Sequence, residues 1–114
     1  MAGVHHVAYT FANLDALLGT YERLKGHGIL PFWAINHGPT TSLYYRDPDG
    51  NRMEFQVECF HSVAESAGYF FTEDFAQNPI GVEFDPEDLI RRLRAGEPER
   101  ELKRRPAGPV SPIR

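Results

Sequence analysis

The tightest constraint on this chain is the pentapeptide Asp47-Pro48-Asp49-Gly50-Asn51, which stands between two runs of strand-type residues. Proline presets φ in a turn and glycine accepts a positive φ, so the chain must reverse here. Thr41 to Arg46 reads as the strand before the turn and Arg52 to Glu58 as the strand after it. In the second strand Met53, Phe55 and Val57 share one face, while Glu54 and Gln56 share the other.

The neighbouring segments extend this hairpin into a unit. Val4 to Phe11 is rich in β-branched and aromatic residues and reads as a strand, with His6, Ala8 and Thr10 on one face. Leu14, Leu17, Leu18, Tyr21 and Leu24 recur at helical spacing, and Asn13 or Asp15 can cap that helix. Gly26-His27-Gly28 ends it. Leu30 to Ile35 reads as a further strand with Pro31 tolerated at its start, and Gly38-Pro39 breaks the chain after it. The order over residues 1–58 is therefore β-α-β-β-β, with the last three strands forming an antiparallel meander. The expected fold class is α+β.

The rest reads as a helical C-terminal extension over residues 59–105. Val63 to Phe71 suits a short helix and Asn78-Pro79-Ile80-Gly81 a loop. Asp85-Pro86 followed by acids is a strong helix start, and Arg91, Arg92 and Arg94 complement its last turn. Residues 106–114 are proline-rich, and a disordered tail is expected there. No internal repeat is present.

Composition narrows the function. A net charge of −4 gives no reason to expect nucleic acid as a partner. No apolar run approaches the ~20 residues of a membrane span, and the first residues do not read as a leader. Cys59 is the only cysteine, so no intrachain disulfide forms and a cytoplasmic location is expected. Eight of the twelve basic residues lie between Arg91 and Arg114. That clustering fits an anion- or partner-binding tail, or a solvated helix face paired with Glu97, Glu99 and Glu101.

Few side chains carry chemistry. His6 and Glu54 are imidazole and carboxylate donors of the kind a catalytic metal takes. Each also has a plainer reading, as a packed strand histidine and a solvent-facing glutamate. Tyr44 and Tyr45 serve equally as alternating strand aromatics, and His37 as an exposed loop residue. Trp33 and Phe32 line either a pocket or the core, Trp33 having the better claim to a pocket. His5 faces away from His6, and His27 and His61 flank turns. Cys59 has no His-Asn pair at a spacing that would make it a nucleophile.

A longer pattern joins several of these residues. Ile35-Asn36-His37 is followed after five residues by Leu43-Tyr44, after two by Asp47-Pro48, after one by Gly50 and after three by Glu54. This resembles the signature of type I extradiol ring-cleavage dioxygenases, and the β-α-β-β-β order resembles the repeating unit of the vicinal-oxygen-chelate superfamily. The resemblance covers residues 3 to 58. It implies that His6 and Glu54 are metal ligands, that His37 handles protons, and that Tyr44 hydrogen-bonds a bound catecholate. Histidine titrates near neutrality, and a tyrosine hydroxyl can donate to an anionic oxygen, so the residue types suit these roles. The implied cofactor is Fe(II), with Mn, Zn or Ni as alternatives; the implied substrates are a catechol-like aromatic and O2.

The resemblance also implies a second histidine ligand from another module, which this sequence does not contain. A homodimer would supply one, as would a longer two-module chain of which this is a fragment. A symmetric dimer would also suit a glyoxalase-like lyase or isomerase, while relatives without a metal act as small-molecule binding modules. Phe60 to Phe75 is expected near the pocket or the dimer seam.

Overall fold

The computed structural model describes residues 6–114, with His6 placed by its backbone alone. Strand β1 (His6–Phe11) leads to helix α1 (Leu14–Gly26), then to β2 (Trp33–Asn36), β3 (Thr40–Arg46) and β4 (Arg52–Glu58). Helices α2 (Val63–Tyr69) and α3 (Glu73–Gln77), strand β5 (Val82–Glu83), and helices α4 (Pro86–Arg94) and α5 (Glu99–Leu102) follow. The strands form one sheet in the order β1-β4-β3-β2-β5. β2, β3 and β4 run antiparallel in sequence, and β1 pairs parallel to β4. The β-α-β-β-β order and the α+β class hold.

Alternation assigns the two sheet faces different work. Leu43, Tyr45 and Val57 face α1 and join Leu14, Leu17, Leu18 and Tyr21 in the main core. α4 and α5 add Leu89, Ile90 and Leu102. Leu14, Leu17 and Leu43 are fully buried, each stabilising the fold by roughly 1.5–3 kcal/mol. Of the two candidate caps for α1, Asn13 does the capping, its Oδ1 accepting from the Ala16 N–H at 2.8 Å. Tyr21 donates to Glu87 at 2.6 Å and ties α1 to α4. The opposite sheet face carries a second cluster, Trp33, Ile35 and Tyr44, with Phe32 and Ile80 packed on it.

Three features depart from expectation. β2 begins at Trp33 rather than Leu30, which is 60% exposed and lies outside the sheet. β5, which lies within the expected helical extension, pairs antiparallel with β2 through Ile35–Glu83 and Asn36–Val82. Two residues are too short a run to show a period, so partners elsewhere in the chain define this strand. Residues 106–114, expected to be disordered, have no regular secondary structure but are held at several points. The Ser111 N–H donates to the Gly81 carbonyl at 2.9 Å, and Arg114 grips Glu83 with two bonds of 2.9 and 3.0 Å. The prolines that suggest disorder also lower the entropy lost on ordering.

The late basic residues follow the solvated-helix reading for the most part. Arg91 and Arg92 pair with Asp88, Arg92 also with Glu97, Lys103 with Glu99 and Arg104 with Glu101. Among the described residues no helix is long and apolar enough to cross a membrane.

Candidate functional site

The register of β2, β3 and β4 builds the site. Tyr44 lies directly opposite Glu54 on one side and Trp33 on the other. Cross-strand partners share a face, so the three side chains form a row. Trp33 stacks on Tyr44 with ring centroids 4.8 Å apart, and Phe32 packs on Tyr44 from 6.2 Å. His37, just past the end of β2, stands edge-on to both Trp33 and Tyr44. Trp33, His37 and Tyr44 line a shallow cavity of about 250 Å³ with Arg52, Pro79, Ile80 and Ile113.

A line of hydrogen bonds crosses the row. His37 Nδ1 lies 2.6 Å from the Ile80 carbonyl oxygen, and His37 Nε2 lies 2.9 Å from the Tyr44 hydroxyl. A carbonyl oxygen only accepts, so Nδ1 carries a proton. In neutral His37 the Nε2 atom is then an acceptor and Tyr44 donates to it. In protonated His37 the Nε2–H donates to Tyr44, whose own proton is left for Glu54, the other hydrogen-bond partner of that hydroxyl. Burial raises the Tyr44 pKa above the usual phenol range, and the neighbouring Glu54 carboxylate raises it further. The hydroxyl therefore keeps its proton at any ordinary pH and remains a donor.

Glu54 is itself only 6% exposed. A buried carboxylate beside stacked aromatic rings is costly unless it is paired, and it makes a strong donor for a cation. In the register, Ala8 stands opposite Glu54 and His6 opposite Arg52, two residues away along β1. The His6 side chain lies outside the described residues. Among the described residues no three of His, Cys, Asp and Glu come close enough together to hold a metal ion.

Several contributors were not visible in the sequence. The loop before β5 sets the Ile80 carbonyl in place: Asn78 Oδ1 accepts from the N–H groups of Ile80 and Gly81, at 3.1 and 2.8 Å. Arg105 secures the loop from outside by donating to the Asn78 carbonyl at 2.7 Å. Ser111 accepts from the Trp33 indole N–H at 3.0 Å, so the C-terminal segment supports the stacked pair. Asn-x-x-Gly is a turn signal, but nothing local says which side chain the turn will meet. Phe60, Tyr69, Phe70 and Phe75 pack chiefly on one another, and Phe71 is 92% exposed. Among residues 60–75 none lines the Trp33–Tyr44 cavity, which the 79–80 loop and Ile113 close instead.

Comparison with known proteins supplies the family. Residues 1–55 match the model of the Glyoxalase/Bleomycin resistance protein/Dioxygenase superfamily. This β-α-β-β-β module belongs to that superfamily. Over 97 residues the chain is 50% identical to biphenyl-2,3-diol 1,2-dioxygenase 2 of Rhodococcus globerulus, an alignment covering 85% of the chain and 51% of the relative. Over 103 residues it is 44% identical to biphenyl-2,3-diol 1,2-dioxygenase 3 of the same organism, covering 90% and 54%. The chain spans about half the length of these curated relatives. No solved structure matches it significantly. The similarity to the two dioxygenases is longer than the superfamily match and takes in the loop that carries Ile80.

Proposed function

We propose that this chain is a catalytic module of a non-haem, Fe(II)-dependent extradiol dioxygenase that cleaves a catechol-type ring with O2. The observation that carries the reading is the hydrogen-bonded line from Glu54 through Tyr44 to His37 along one aromatic-lined cavity. His6 and Glu54 are the residues that would hold the ion, and the donor set fits: a buried carboxylate and an imidazole suit divalent iron. The chemistry such an ion supplies when bound is Lewis-acid polarisation of a vicinal diol beside O2.

The chain's own residues do the rest. Trp33 and Tyr44 present a stacked aromatic wall against which a single ring packs. Tyr44, kept protonated, donates to the diol oxygen as it gains negative charge. His37 accepts the proton the diol gives up and holds it between Tyr44 and the reacting oxygens. The Ile80 carbonyl then steadies the imidazolium through Nδ1–H. Ile80 and Ile113 keep water from one side of the cavity.

The remaining ligand comes, on this reading, from a second module in a homodimer. β1 is an edge strand, and its open side is a natural seam for another copy. A location in the cytoplasm accords with the free thiol of Cys59.

Metal content per chain and mass in solution, measured on protein purified without a metal-affinity tag, test the proposal together. A dimer holding iron and opening the ring of 2,3-dihydroxybiphenyl or catechol, with both lost in Glu54→Gln, is the expected result. Zinc or nickel in its place would favour a glyoxalase-like lyase or isomerase. Failure to take up Fe(II) at all would leave a small-molecule binding module.

A further inference from the structure

The chain has only four basic residues before Arg91, and two of them, Arg46 and Arg52, face each other across β3 and β4. Like charges directly opposite one another on a sheet are unfavourable, and no ion pair with an acid offsets them among the described residues. Arg52 is the more telling of the two. Its Nε is buried and has no hydrogen-bond partner among the described residues. Its guanidinium lies 5.3 Å from the Tyr44 ring, 5.4 Å from Phe32 and 5.8 Å from Trp33, and it lines the same cavity as His37 and Tyr44. Aromatic faces hold an arginine in position but do not satisfy its N–H donors. A buried donor without a partner costs free energy, so a site that retains one is a site where a ligand can supply the acceptor.

We infer that Arg52 is an anion-recognising residue, and that the aromatic diol this cavity takes bears a carboxylate. This rests on the diol reading above and adds the substrate class to it. Arg52 stands two residues from Glu54 on the same face of β4, ~6.6–6.8 Å along the strand. That is about the span from the diol edge of one benzene ring to a carboxyl group on its far side. A planar guanidinium matches a carboxylate with two parallel hydrogen bonds, whereas an uncharged second ring, as in a biphenyl diol, would leave Nε unsatisfied.

Trp33, the only tryptophan, lines the cavity, so its fluorescence reports occupancy directly. The experiment titrates the iron-loaded protein with catechol, 3,4-dihydroxybenzoate and benzoate, in the natural chain and in Arg52→Gln and Arg52→Lys. The expected result is that 3,4-dihydroxybenzoate binds roughly ten- to a hundredfold more tightly than catechol. Arg52→Gln should remove that preference by weakening 3,4-dihydroxybenzoate far more than catechol, while Arg52→Lys should keep part of it. Equal affinity for the two diols in the natural chain would overturn the inference. So would a loss in Arg52→Gln that falls equally on both, since Arg52 would then act on the diol. If benzoate binds as tightly as 3,4-dihydroxybenzoate, in an Arg52-dependent way, the carboxylate site stands and the diol reading fails.

Discussion

Tyr44 combines two functions that a single substitution can separate. Its ring packs between Trp33 and Phe32, and its hydroxyl joins His37 to Glu54. Tyr44→Phe keeps the ring and removes only the O–H. The fold should lose about 1 kcal/mol, the net worth of an ordinary hydrogen bond. Ring cleavage should fall by roughly 10²-fold or more, because the donor to the diol oxygen and the link to His37 vanish together. Steady-state kinetics beside urea unfolding would check both; an unchanged kcat would remove Tyr44 from the chemistry. That Tyr44 and Glu54 meet was legible in the sequence, since alternation along β3 and β4 and the turn between them fix the register. The sequence is silent on the His37–Ile80 bond, which joins residues 43 positions apart. Arg52 was legible in principle: two positions before Glu54 on a strand is the same face, but a charged residue next to a turn reads first as a solvated end.

At the scale of elements, the site depends on a loop and a terminal segment with almost no secondary structure. Gly81 has φ 132°, and a Cβ there would come within 2.5 Å of the Asn36 carbonyl oxygen. Gly81→Ala should therefore cost at least ~1–3 kcal/mol and move the Ile80 carbonyl off His37. Thermal unfolding would register the first, and a shift in the pH profile of turnover the second; an unshifted profile would mean that Ile80 does not govern His37. Ser111→Ala is the gentler perturbation. It leaves the buried Trp33 N–H without its acceptor, at a cost of roughly 1–3 kcal/mol, and should change the emission of the only tryptophan. An unchanged spectrum and stability would show that the terminal segment does not support Trp33. Long periodic elements such as α1 could be read from the chain because each carries its own pattern. β5 and residues 106–114 could not, because partners in β2 and in the loop before β5 define them.

At the scale of the whole molecule, one polar atom of the main core has no partner among the described residues, and it gives the fold an alkaline limit. The Tyr45 hydroxyl is buried and unpartnered, and burial pushes its pKa up to about 12. An unfolded tyrosine titrates near 10, so between about pH 10 and 12 the folded chain holds a proton that the unfolded chain has released. Stability is then fully present below pH 10 and falls as pH rises, by about 1.4 kcal/mol per pH unit for this one group. Burial and the hydrogen bond to Glu87 likewise raise the Tyr21 pKa, steepening the fall. Tyr45→Phe removes the titrating group and leaves no polar atom to satisfy. It should be as stable as the natural chain, or slightly more so, at pH 8, and clearly more stable at pH 11. Urea unfolding at the two pH values measures the difference directly. Parallel losses in both proteins would mean that the alkaline limit lies with other groups, and that the Tyr45 hydroxyl finds a partner within the folded chain.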